Sequence, residues 1–190
     1  MVRAGIDYSI NCPCMCVWDD TEGPLSHTSC RYYFCQHGVS VKESERRRAL
    51  GLENIFPGIQ MEWKTETARY IGLADWFLSI MVIEGVEEVA MEAYALGANG
   101  RVFNIAECTG TLKTMMALLG IQFTAYPPTM VKKIFSGKGN ANKDVMVAAY
   151  KEKYSVGIDD LLGKPGISDS PISDIVDSHA MLYTHMNKGD

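Results

Sequence analysis

Residues 3–18 read RAGIDYSINCPCMCVW, and the acid in that run sets how the rest of the chain is read. The run reads as a strand that opens the chain. A carboxylate at Asp7, inside a strand otherwise built for burial, needs a counter-ion. If the strand is continuous, Cys12, Cys14 and Cys16 share one of its faces. Cys30 and Cys35 follow closely. The C-x-C-x-C and C-x4-C spacings do not resemble the paired C-x2-C knuckles of structural zinc sites, even with His27 and His37 nearby. Small, reduced, buried thiols are the expectation.

Working outward, the turn-rich stretch DDTEGPLS leads to HTSCRYYFCQHGVSVK, read as one or two further strands. KESERRRALGLENIFPG is charged and then loop-like, a short helix or an exposed excursion. Residues 61–81 carry an apolar stripe at helical spacing, with Trp63, Ala68, Ile71, Ala74, Phe77, Leu78 and Met81. A short strand in GVEEVAMEAYA, a helix ending at Gly120 and a strand in IQFTAYPP come next. Two short helices flank SGKGNAN, and a final helix runs through ISDSPISDIVDSHAMLYTHM. The strand–helix order predicts an α/β fold, a mixed sheet with helices on both faces. Residues 1–190 are the right length for one domain.

Acids recur in these elements. Glu92 lies near the end of its strand. Asp174 and Asp177 lie three residues apart on the last helix. With Ser170 as N-cap and Pro171 at the first helical position, both fall in the second turn, where the capping argument weakens; this stretch alone leaves capping or a solvated face open beside a functional acid pair. Oxygen-only donors without His or Cys favour Mg²⁺, with Mn²⁺ as a substitute. His179 and His185, on the same helix, read as core or surface residues rather than metal ligands.

The net charge of −5 is unevenly spread. Residues 131–153 hold six lysines against Asp144 and Glu152, a local +4, and residues 159–190 hold six aspartates against two lysines, a local −4. A basic surface beside an acidic cluster suits a metal-dependent enzyme acting on a polyanion. In VKKIFSGKGNANKDV, Gly137 and Gly139 allow close approach of backbone to phosphate, and lysines supply charge. The loop is not G-x4-G-K-[ST], which disfavours a nucleotide cofactor. Without a long apolar run or a signal peptide, the chain is expected to be cytoplasmic (host cytoplasm if phage-encoded), with no membrane partner.

Together these motifs resemble the RuvC-type Holliday junction resolvases of the RNase H-like nuclease superfamily. GIDYS is similar to that family's opening strand with its metal-binding Asp, here Asp7. AMEAYA matches its strand-end Glu, here Glu92. VKKIFSGKGNANKDV follows its basic loop–helix segment, with Lys132 and Lys143 at the lysine positions, and DIVDSHA matches the closing D-x-x-D of Asp174 and Asp177. The resemblance implies an RNase H-like, mixed five-stranded sheet and a homodimeric, Mg²⁺-dependent endodeoxyribonuclease. It implies that four-way DNA junctions are resolved by paired, symmetric nicks that leave 5′-phosphate and 3′-hydroxyl ends. Asp7, Glu92, Asp174 and Asp177 would hold the metal, and Lys143 would join them in catalysis. Lys132 and Lys143 would contact DNA; Lys138 is a further DNA-contact candidate, as is Tyr94, which lies beside Ala95, the position where bacterial members often carry a wedge aromatic. Arg46, Arg47 and Arg48 are weaker candidates. Divergence in two segments suggests a phage- or virus-like member. The alternatives are a broader fork or flap nuclease, a non-cleaving branched-DNA-binding protein, and an actin-like phosphotransferase. The last is disfavoured because Tyr8 and Ser9 stand where a glycine loop belongs.

Overall fold

A computed structural model describes residues 1–37, 42–93 and 102–189. The opening run is two strands rather than one. β1 (Val2–Asp7) and β2 (Cys14–Asp19) pair antiparallel. Between them the Ser9 hydroxyl accepts a hydrogen bond from the Cys12 N–H at 3.0 Å, and Pro13 has no N–H to extend a ladder. Asp7 is therefore the last residue of its strand. β3 (Cys30–Gln36) pairs antiparallel with β2.

The excursion predicted next holds a short helix, α1 (Glu43–Ala49), and a strand, β4 (Ile55–Ile59), that runs parallel to β3. This corrects the five-stranded expectation: among the described residues the sheet has six strands, in the order β4-β3-β2-β1-β5-β6. Pro57 and Gly58 disguise β4 in the sequence, yet at the edge of a sheet a proline forfeits no ladder bond. α2 (Glu66–Glu84), β5 (Val86–Glu92), α3 (Val102–Leu118) and β6 (Gln122–Tyr126) follow, and β1, β5 and β6 are mutually parallel. The chain ends with α4 (Pro128–Ser136), α5 (Lys143–Tyr154), α6 (Ile158–Leu161) and α7 (Ile172–Asn187).

The central strands bury both faces, which is why β2 reads as an apolar run without a polar alternate, whereas the edge strands β4 and β6 stay largely exposed. From β1 and β2, Ala4, Ile6, Met15 and Val17 pack with Phe77, Leu73 and Leu112 of α2 and α3. Cys14, Cys16 and Trp18 point the other way, into a second core with Tyr150, Ile175, Val176 and Leu182. Gly5 decides how closely α7 sits on β1. A Cβ at that position would lie 2.2 Å from the Ser178 carbonyl oxygen and 2.5 Å from the Leu182 nitrogen. Only glycine admits helix backbone so near a central strand.

Candidate active site

β1 and β5 are adjacent and parallel, in register at Ile6 and Met91, so their next residues, Asp7 and Glu92, end neighbouring strands at the same edge. α7 crosses that edge. Its N-cap is Pro171 rather than Ser170, which puts Asp174 in the first turn and corrects the second-turn placement. Asp174 still does not cap the helix. The Ser173 hydroxyl donates to Oδ1 at 3.3 Å, the Cys12 thiol interacts with the carboxylate, and Oδ2 is buried without a hydrogen bond in the geometry. Such an orphaned oxygen costs free energy unless something positive or protic meets it.

The carboxylates act on one another. Burial raises Asp7 well above the ordinary carboxylate range, reinforced by Asp174, Asp177 and Glu92 and opposed by Lys143. Asp177 is pushed up to about 7, by burial first and then by Asp174 and Glu92, against Lys132 and Lys143. Glu92 is raised by burial, with Lys132 opposing. No described lysine or arginine forms an ion pair with any of the four acids. No three of the described Asp, Glu, His or Cys ligand atoms at this site lie within 4.8 Å of one another, so a bound cation would have to draw the carboxylates in. Four acids, an unpartnered buried oxygen and an all-oxygen donor set fit Mg²⁺ or Mn²⁺.

The lysines come from the basic segment. Lys132 lies on α4. Lys143 opens α5 behind an Asn142 N-cap, whose Oδ1 accepts from the Val145 N–H at 3.0 Å. A lysine at a helix N-terminus opposes the helix dipole, so helix stability is no reason for it. Gly137 is explained otherwise than expected: it closes α4 with φ of +78°, donating its N–H to the Lys133 carbonyl at 2.9 Å. Lys138 is exposed on the following loop. Tyr94 and Ala95 lie outside the described residues. The arginines are engaged elsewhere: Arg46 and Arg47 pair with Glu43, and Arg48 donates to the Leu161 carbonyl.

A cleft of about 500 Å³ opens beside the acids, lined by Asp7, Glu92 and Asp174 and by the β1–β2 turn through Ser9, Asn11 and Cys12. α3 contributes Val102, Ile105 and Thr109. In the sequence, Ser9, Asn11 and Cys12 have no place in the expected site, although the Asn-Cys-Pro stretch that breaks the strand is a signal for a turn there.

No family model matches the chain, and no curated protein sequence matches it. Solved structures do. Thermus thermophilus RuvC is similar with a TM-score of 0.59 at 19% identity, over 98% of this chain and 93% of that one. The T. thermophilus RuvC in complex with Holliday junction substrate gives 0.64 at 18%, with the same coverage. The fold is that of RuvC. The yeast mitochondrial Holliday junction resolvase is similar at 0.55 and 14%, over 97% of this chain and 77% of its own. Among the described residues of this RuvC-like chain, no helix is long and apolar enough to cross a membrane.

Proposed function

We propose that the chain is a divalent-metal-dependent endodeoxyribonuclease that resolves four-way DNA junctions as a homodimer, by paired symmetric nicks. The observation that carries this reading is the meeting of Asp7, Glu92, Asp174 and Asp177 at one sheet edge, with Lys132 and Lys143 beside them, in a chain with the RuvC fold. Mg²⁺ held by the four carboxylates would supply Lewis acidity and a water of lowered pKa. The chain's own groups do the remaining work. Lys143, at the N-terminus of α5, combines its charge with free helix N–H groups to hold a phosphate. Lys132 stabilises charge that develops at the scissile group. Exposed Lys138 extends the basic surface along the backbone of the DNA. Two strand ends and a docked helix hold the backbones of the four acids, so only side-chain movement is needed to bring the carboxylates onto the ion. Hydrolysis leaves 5′-phosphate and 3′-hydroxyl ends.

The test compares a labelled immobile four-way junction, a Y-fork and a linear duplex, each with Mg²⁺ and with EDTA. Ligatable, symmetric nicks in the junction alone support the reading, and equal cutting of the fork makes the chain a general branch nuclease. Asp7→Asn should abolish cleavage while sparing junction binding. Full activity in that variant would remove Asp7 from the site.

A further inference from the structure

The cysteines that looked merely buried come together with a histidine far away in the sequence. Cys16 lies in the middle of β2 and Cys30 begins β3; the register sets Cys16 opposite Tyr32 and Trp18 opposite Cys30. The two thiols are thus diagonal neighbours on one face. α7 lies over that face and brings His179, fully buried. Cys16 Sγ, Cys30 Sγ and a His179 ring nitrogen all lie within 4.8 Å of one another. His179 Nδ1 is 3.5 Å from Cys16 Sγ and 2.9 Å from the Tyr32 hydroxyl, while Nε2 is 2.6 Å from the Tyr154 hydroxyl. Neither histidine close to the cysteines in sequence joins them: His27 pairs with the Tyr150 hydroxyl at 2.8 Å.

We infer that Cys16, Cys30 and His179 form a buried structural zinc site, with the Tyr32 hydroxyl as the neighbouring fourth donor, that fastens α7 to β2 and β3. Thiolate sulfur and imidazole nitrogen are the donor types of protein zinc sites, and three such donors leave the fourth position to the Tyr32 hydroxyl. Their softness separates the site from the all-oxygen carboxylates, which prefer Mg²⁺. Tyr154 meets the outer nitrogen of His179, the kind of contact that orients a metal-binding imidazole. Hydrogen bonding with Tyr32, Tyr154 and Cys16 holds His179 in the metal-free chain, and the same contacts keep both thiols and the imidazole within reach of one ion. On binding, zinc displaces the thiol protons of Cys16 and Cys30 to solvent. The ion would hold the helix two residues beyond Asp177. The inference stands apart from the nuclease reading, because its readout is metal content rather than cleavage.

The full chain, stripped with chelator under reductant, is loaded with Zn²⁺ and, separately, with Co²⁺. One zinc per chain should survive gel filtration, and cobalt should show a thiolate charge-transfer band. Cys16→Ser and Cys30→Ser should lose both signals, and Tyr154→Phe should weaken zinc binding about tenfold. Cys35→Ser and Cys108→Ser, which change thiols outside the group, should keep both. Should the serine variants fail to fold, X-ray absorption of the zinc-loaded unmutated chain still decides, since the site requires two sulfurs and at least one nitrogen. An all-oxygen shell, no retained zinc, or a cobalt band that survives both serine substitutions would overturn the inference.

Discussion

Asp177 and Gly5 show what single positions contribute. Asp177 titrates at about 7 in the fold against an ordinary 3.8, so the folded chain holds a proton that the unfolded chain releases. Its stabilising contribution is complete below about pH 4 and is lost as pH rises through about 7. Asp7 and Glu92 are shifted in the same direction. In EDTA the melting temperature should therefore fall between pH 5 and pH 8, and Asp177→Asn should remove much of that fall. Mg²⁺ should raise the melting temperature at pH 8 and hardly at pH 5. A variant that tracks the unmutated profile would exclude Asp177 as the source. Gly5→Ala drives a methyl into α7 backbone that cannot yield, and should cost about 3 kcal/mol or more in urea unfolding. Unchanged stability would mean α7 can lift off β1 cheaply.

At the scale of elements, the basic pair depends on where α4 and α5 begin and end. Gly137 stops α4 and Asn142 starts α5, and this turn sets Lys132 and Lys143 before the acids. Lys132→Ala or Lys143→Ala should each reduce the slope of log affinity against log salt by about 1 for a four-way junction. Cleavage should slow by roughly a hundredfold, as measured in single-turnover reactions across a salt series. An unchanged slope would place that lysine off the phosphate path. The strand and helix types were legible here, because apolar periodicity and turn residues are local. β4 was not, because a Pro-Gly strand is acceptable only at an edge, and edges are not a local property. The start of α7 was off by one residue for a related reason: a Ser-Pro pair suits either boundary.

For the whole molecule, the proposed paired nicking needs two active sites, so the junction-bound species should contain two 21.0 kDa chains in addition to the DNA, as sedimentation at two wavelengths would read. Ile83, Phe103 and Leu118, on the α2 and α3 layer, are 81%, 83% and 81% exposed, apolar surface that a second copy would cover. If the proposed dimer forms through this surface, Phe103→Glu with Leu118→Glu should yield monomers that make single nicks only. Paired nicking by a monomer would defeat the dimeric scheme.

The sequence by itself determined the acids, the kind of element carrying each, the basic segment and the α/β alternation, since these follow from residue chemistry and short-range periodicity. The resemblance drawn from those motifs pointed to the fold that the whole chain adopts. Tertiary structure alone decided the sixth strand, the approach of α7 across Gly5, and the meeting of Cys16 and Cys30 with His179. The local spacing of those thiols says nothing of a histidine some 150 residues away. Contacts of that range are set by strand order and helix docking, which depend on the whole core at once.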